Sequence, residues 1–369
     1  MRIRFRARLT IVMLASALAA GCSAPIPSTE LPPTREVAPA LEFPELRDYR
    51  GAVDVRFKST GLDQAAIADM ARAAQIDFVF LGDRASGDST DYGIAGFSSN
   101  VLFIPGATFD AAGGEIVALN LHAPLERDAG KSPDDLIGAI HEQGGLALAA
   151  DLARFDSPAD YALADAIEVY NQRSVWQSAN PTSIWLRAIF FGTDRFLRGL
   201  DVPPEESLAA YDRMASRARI AMVAGVGAAD DMPVLGSRVG TFPQLFLFFT
   251  THLLAPERAA EPLLEALKRG HSYVSFDLLG YADSFAFYAQ SGAGKTLMGD
   301  EAALAPGLKL RAETPGPADR IVLLRNGAEV SSVDNANTLE FTPDSPGAYR
   351  VEATRRGHPW ILSNPVYLR

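Results

Sequence analysis

The stretch Asp77-Phe78-Val79-Phe80-Leu81-Gly82-Asp83-Arg84, together with Gly51-Ala52-Val53-Asp54-Val55-Arg56 upstream, decides the fold. Each is a short apolar run that ends in charge, the pattern of a buried strand whose C-terminal tip offers ionisable groups to a cleft. Working outward, strand and helix signals alternate. Val53 to Phe57 predicts a strand, Leu62 to Gln75 a helix, and Phe78 to Leu81, Val101 to Ile104 and Ile116 to Leu121 further strands. Pro133 to Gln143 predicts a helix stopped by Gly144-Gly145. Leu146 to Ala150, Ala166 to Tyr170 and Ile220 to Ala224 predict strands, and Ile184 to Arg198, Glu205 to Arg217, Pro243 to Leu254 and Glu257 to Lys268 predict helices. This alternation predicts an α/β domain with a mainly parallel sheet closed into a barrel.

Past about Ser275 the pattern becomes short alternating runs (Phe285 to Tyr288, Leu308 to Ala312, Arg320 to Leu324, Leu339 to Phe341, Tyr349 to Ala353) between turns such as Asn326-Gly327, which predicts a small antiparallel β-sandwich. At the other end, Arg2, Arg4, Arg6 and Arg8 precede the apolar Leu9 to Ala20, and Leu18-Ala19-Ala20-Gly21-Cys22 closes the run. That is the layout of a bacterial lipoprotein signal, with Cys22 the lipidated residue; an ordinary secretory signal with a chance cysteine is the alternative. Cleavage would remove four Arg and no acid, taking the formal charge from -11 to -15, and would leave no second cysteine for a disulfide. The Pro-rich segment that follows is expected to be a spacer. The expected layout is therefore signal peptide 1–21, anchored linker 22–47, barrel 48–275 and sandwich 276–369, in a membrane-anchored protein of the bacterial envelope facing the periplasm.

Composition narrows the function. A 369-residue chain that is 48% hydrophobic has a large core, and a net charge of -11 without a Lys/Arg run after the N-terminus argues against nucleic acid. Ser291-Gly292-Ala293-Gly294-Lys295-Thr296 is not a P-loop: the first Gly would fall at Ala289, and the stretch lies between sandwich strands, so it predicts a turn. His122, His141, His252, His271 and His358 form no ligand pair at metal-binding spacing, with His252 expected in an aromatic-rich helix, and no serine, histidine and acid arrangement is recognisable. Trp176, Trp185, Phe190, Phe191 and Phe196 surround an insertion, and Phe242, Phe246, Phe248 and Phe249 crowd one segment. Core packing is the plain expectation for both groups, and a lid or partner groove is the functional alternative.

The order Tyr49-Arg50-Gly51, Asp77 to Asp83, Val101-Leu102-Phe103-Ile104-Pro105-Gly106, Gly144-Gly145, Ile167-Glu168-Val169-Tyr170-Asn171 and Val223-Ala224-Gly225 resembles the PHP (polymerase and histidinol phosphatase) superfamily. Within it the CehA/McbA-like branch of metal-dependent hydrolases is the nearest match. Gly270-His271-Ser272-Tyr273, Met298-Gly299-Asp300-Glu301, Tyr349 to Glu352 and Pro359 to Pro365 are similar to its appended sandwich. The resemblance implies a distorted (β/α)7 barrel of TIM type holding two or three divalent metals at its strand ends, for phosphoesterase or related hydrolysis.

The ligand positions depart from that pattern. Where the family has His-x-His stand Asp54 and Arg56, its Asp-His becomes Asp83-Arg84, and its Gly-x-Glu becomes Gly106-Ala107-Thr108. Gly-His becomes Gly114-Glu115, His-Pro becomes Asp151-Leu152, and Ser-Asp-Ala-His becomes Val226-Gly227-Ala228-Ala229, so the degenerate set includes Thr108, Gly227 and Ala229. A guanidinium repels cations and cannot be deprotonated to ligate one. An ion-pair network of Arg56 and Arg84 with Asp54, Asp83, Glu115 and Asp151 is therefore expected where relatives hold metal, with no cofactor and no confident catalytic residue. Three other outcomes stay open: solvated surface charge, an oxygen-only Mg, Mn or Ca site formed by Asp54, Asp83, Glu115 and Asp151, and an anion-gripping cleft. The favoured expectation is an inactive, lipid-anchored pseudoenzyme that binds an anionic small ligand or an envelope protein partner; the alternative is a hydrolase with an altered metal site.

Overall fold

The computed structural model describes residues 41–84, 95–111, 113–125, 132–150, 161–172, 205–228, 232–234, 237–239, 241–292 and 294–369. The signal, Cys22 and most of the linker lie outside these residues, as do Asp151, Ala229, the helix expected at Ile184 to Arg198 and the aromatic insertion around Trp176 and Trp185.

The first half is a mixed sheet with few helices. Its strands are β1 (Arg47–Arg56), β2 (Phe78–Leu81), β3 (Gly96–Ser98), β4 (Val101–Ile104), β5 (Gly106–Ala111), β6 (Gly114–Leu119), β7 (Leu146–Ala150), β8 (Ala166–Asn171) and β9 (Ala221–Ala228). Parallel pairs join β1 to β2 and β9, β2 to β4, β7 to β8 and β8 to β9. The β5–β6 and β6–β7 pairs are antiparallel, which corrects the mainly parallel expectation. The cause is local: Ala111 to Gly114 turns back too tightly for a parallel crossover, which needs a dozen or more residues. Pro105 separates β4, which pairs with β2, from β5, which pairs with β6. Every described side chain of β2, β4, β7 and β8 is buried, as their continuous apolar runs require.

Helices α1 (Gln64–Ala73), α2 (Pro133–Glu142), α3 (Glu205–Ala215), α4 (Phe242–Phe248) and α5 (Ala260–Arg269) complete the described helical structure of this half. Asp63 caps α1 by accepting from the Ala66 amide, and Ser132 caps α2 ahead of Pro133. Between α3 and α5 lie the ribbon β10 (Met232–Val234) with β11 (Ser237–Val239), then β12 (Thr250–Ala255) after α4. The single helix expected over Pro243 to Leu254 is thus a short helix and a strand. Phe249 leaves helical geometry at φ -150°, and the β-branched Thr250 and Thr251 continue as strand, with β12 pairing antiparallel to β1. Phe248 and Phe249 pack with Tyr170 and Phe276 in the core.

β13 (Ser272–Ser275) pairs with β12 on one side and with a strand of the C-terminal half on the other. That half is antiparallel apart from one pair: β14 (Ala286–Ser291), β15 (Gly294–Leu297), β16 (Glu301–Ala302), β17 (Lys309–Arg325), β18 (Ala328–Phe341), β19 (Gly347–Arg355), β20 (His358–Ser363) and β21 (Val366–Leu368). The strand partner of β13 is β20. Asn326 and Gly327, both at positive φ (50° and 84°), turn β17 into β18, as the Asn-Gly pair predicts. Ser291 and Gly294 close the β14–β15 hairpin, so the P-loop-like stretch is a turn.

Arg50, fully buried on β1, holds this framework to α1. Its Nη1 donates to the carbonyls of Ala74 (3.4 Å) and Gln75 (3.2 Å) at the helix end, and its Nη2 to Asp277 Oδ2 (2.5 Å), with both side chains fully buried. Removing one member of a buried ion pair leaves an uncompensated charge. Arg50→Ala should therefore cost about 3–5 kcal/mol in urea unfolding; a loss under about 1 kcal/mol would show that Asp277 finds water instead.

Candidate functional site

The ends of β1 and β2 bring the expected residues together around Arg56. Asp54 sits at φ 54°, where the β1–β2 register shifts between Ala52 and Val55. This left-handed conformation is uncommon outside Gly but tolerated by Asp. The Asp54 carboxylate is fully buried and accepts both Arg56 Nε (2.8 Å) and Nη2 (2.8 Å), a bidentate pair. Arg56 Nη1 reaches Glu115 Oε2 at 3.0 Å, and the Arg56 side chain is only 10% exposed. Arg84 donates to Asp110 Oδ1 (2.7 Å) and to Glu115 Oε1, while remaining half exposed. Asp110 and Glu115 face each other across the β5–β6 pair, where like charges repel, and Arg84 spans both.

Asp83 stands apart. Its Oδ1 accepts the Lys58 amide at 2.9 Å, whereas its buried Oδ2 has no hydrogen-bond partner among the described residues. Thr108 fixes the loop beneath: its hydroxyl donates to the Gly82 carbonyl (2.6 Å) and its amide to the Asp83 carbonyl (3.2 Å). Gly227, at φ 68° in β9, pairs with Val55. Of the expected set, Arg56, Asp54, Glu115 and Arg84 are bonded together, with Arg84 at the solvent edge, while Asp83 bonds neither guanidinium and Asp151 lies outside the described residues.

Two residues of this end escaped the sequence. Asp110 lies on the exposed side of a hairpin and has no motif around it. Glu168 sits fully buried within the apolar β8, near enough to Arg56 to reinforce its charge, with Asn171 donating to its Oε2 at 2.9 Å. A carboxylate inside an otherwise apolar strand was the available signal. Two glycines leave room for these acids: a Cβ on Gly82 would lie 1.9 Å from Asp54 Oδ1, and one on Gly225 2.0 Å from Glu168 Oε1.

Three carboxylates (Asp54, Asp110, Glu115) thus bond the two guanidiniums, and two more, Asp83 and Glu168, lie near enough to feel the Arg56 charge. Burial pushes the Asp54 carboxyl up to about 6 against the pull of Arg56, with Glu115 and Asp83 adding to the rise. Burial likewise raises Asp83. Arg56, desolvated but ringed by Asp54, Glu115 and Glu168, is held more firmly protonated than usual. Of the four candidate oxygen ligands, Asp54, Asp83 and Glu115 are described and Asp151 is not. Among the described residues, no three carboxylates here bring ligand oxygens within 4.8 Å of one another, and Arg56 fills the space between Asp54 and Glu115.

Among the described residues the grouping with such spacing is Asp48, His252 and Asp283, at the opposite end of β1. Asp48 is already saturated there: it accepts from the His252 ring at Nδ1 (2.7 Å), the Tyr273 hydroxyl (2.5 Å) and the Ser284 amide (2.7 Å). His252 lies on β12 rather than in a helix, and its Nε2 is 3.0 Å from Ser275 Oγ. The Asp–His–Ser arrangement absent from the linear sequence therefore exists, assembled by strand pairing. It is sealed: His252 and Ser275 are fully buried, and Ser275 donates its proton to Asp277 Oδ1 at 2.6 Å.

No family model matches the chain, and no curated protein matches it. Among solved structures it is similar to a two-domain protein containing a predicted PHP-like metal-dependent phosphoesterase from Bacteroides vulgatus, at 13% identity over 89% of this chain and 98% of that one, with a TM-score of 0.41. An engineered protein is a fainter likeness, at 12% identity over 83% of this chain and 80% of that one, TM-score 0.17. Neither likeness says what this chain does.

Exposure separates the two arginines. Arg56→Ala strands Asp54 in the interior and should cost about 3–5 kcal/mol, whereas Arg84→Ala should cost about 1 kcal/mol or less; equal losses in denaturant unfolding would contradict the buried pairing. Asp54 also gives a pH signature. A carboxyl raised in the folded state contributes stability that is complete below about pH 4 and is lost as pH rises through about 6. Asp54→Asn, comfortable at positive φ, removes that titration. The melting temperature of the variant minus that of the wild type should rise between about pH 4 and pH 6 and level off above that; a flat difference across this window would refute the raised value.

Proposed function

We propose that the chain is an envelope lipoprotein, anchored through Cys22, whose PHP-type barrel and appended sandwich of CehA/McbA-like kind have exchanged a metal centre for an internal ion-pair network. It works by binding a ligand or a partner rather than by hydrolysis. The observation that carries this is Arg56, a permanent cation held between Asp54 and Glu115 at the strand ends. Both guanidiniums of this end spend hydrogen bonds on carboxylates of their own chain, which favours a supporting role here and recognition elsewhere on the surface.

A second reading, hydrolysis with an oxygen-ligand metal site, draws on the buried Asp83 Oδ2 that no donor satisfies. The two separate in one set of measurements. Protein dialysed mildly and analysed for metal should carry no stoichiometric Mg, Mn or Ca. It should not turn over generic phosphodiester or ester substrates with or without Mn²⁺. Turnover that Asp83→Asn abolishes would establish the hydrolase.

A further inference from the structure

A pocket of about 620 Å³ opens where the first described residues meet the C-terminal half, and basic and acidic side chains line it together. Arg219 before β9, Arg269 at the end of α5, His271 next to it and Lys295 on β15 all line it. Leu46, which precedes the first residue of β1, also lines it, so ten residues of strand, about 30 Å, separate it from the Arg56 network.

One carboxylate serves three of these side chains. Asp300 accepts from Arg269 Nη2 (3.0 Å), Arg219 Nη2 (3.4 Å) and His271 Nε2 (2.9 Å). Burial alone would raise the Asp300 carboxyl, but His271 and Arg269 outweigh it and hold it below its usual value, so it stays a fixed counter-charge. The other lining acids are Glu45 and Glu301, the latter paired with Arg369 at 3.5 Å, so the pocket is close to neutral overall and what it offers an anion is the spare donors of the two forks rather than excess charge. Arg219 also donates through Nε to the Gly299 carbonyl (3.1 Å), which fixes the plane of its fork. The remaining donors, Nη1 of Arg219 and Nε and Nη1 of Arg269, have no acceptor among the described residues, and both side chains are nearly half exposed. Lys295 lies 4.9 Å from the Tyr288 ring and pairs with Glu42, whose neighbour Phe43 packs edge-on against the same ring. Phe43, Leu46 and Leu297 give the pocket an apolar wall beside its charged one.

We propose that this pocket binds the phosphoryl group of an amphiphilic phosphate, gripped by Arg219 and Arg269 with Lys295 and with the apolar part of the ligand against Phe43 and Leu46. Paired guanidinium forks match phosphate oxygens in geometry and charge, and the fixed Asp300 keeps both forks aligned before the ligand arrives. The phosphate could belong to a soluble organophosphate or to a membrane lipid headgroup. The assignment is independent of whether the Arg56 end is catalytic.

The test uses full-length protein with phenyl phosphate and inorganic phosphate in calorimetric titrations, and with phosphatidylcholine vesicles containing or lacking phosphatidylglycerol in flotation. Phenyl phosphate should bind saturably and more tightly than inorganic phosphate. Arg219→Gln, Arg269→Gln and Lys295→Gln should each weaken it roughly tenfold. Lys309→Gln, the same charge change at an exposed pair with Glu340, should leave it unchanged. Retention by vesicles containing phosphatidylglycerol, lost in the same three variants, assigns the headgroup as the source; binding of phenyl phosphate alone assigns a soluble one. No saturable binding to any probe, or binding that survives all three substitutions, overturns the site.

Discussion

A guanidinium cannot shed its proton inside a protein, so wherever one is buried the surrounding chain must supply negative oxygen. Arg56 imposes that demand on the ends of three strands at once. Asp54 meets it from the same strand by adopting a left-handed backbone, and Glu115 meets it from β6. Glu168 adds its field from β8. The demand reaches the backbone as well: Gly82 and Gly225 are the positions where any side chain would collide with those acids. In this respect the sequence around the strand ends reads as one solution to a single electrostatic problem.

The two ends of β1 solve it differently. At Arg50 the guanidinium is fully buried and meets one aspartate, two helix-end carbonyls and the face of Tyr281. At Arg56 the acids outnumber the bases and the outermost pairs reach solvent. Excess negative charge is costly in a dry interior, and here the excess is met by lifting the affinity of Asp54 and Asp83 for protons.

Much of the first half was legible because its strands are short apolar runs bounded by Gly, Pro or charge. Phe78–Leu81, Val101–Ile104 and Leu146–Ala150 run where the pattern puts them. The misreading of Pro243 to Leu254 as one helix arose because the apolar run Leu245 to Phe249 carries no period, and Thr250-Thr251 was the overlooked signal. Pairing direction was not legible either, since the antiparallel β5–β6–β7 run depends on how tightly one turn folds back. The Arg56 cluster could be anticipated from charged strand tips, but its buried centre and half-exposed edge could not. The Asp48–His252–Ser275 arrangement was invisible because its members sit more than two hundred residues apart along the chain for one pair, and only strand pairing unites them.

β13 has neighbours on both sides, one from each half of the molecule. Such a strand is a seam rather than a hinge. Severing the polypeptide just beyond it would uncover a row of amide and carbonyl groups along each fragment, the kind of raw margin that recruits other chains into aggregates. The junction between the halves is therefore a continuous line of strand pairing, and a cut placed there would have to leave that margin covered on both sides.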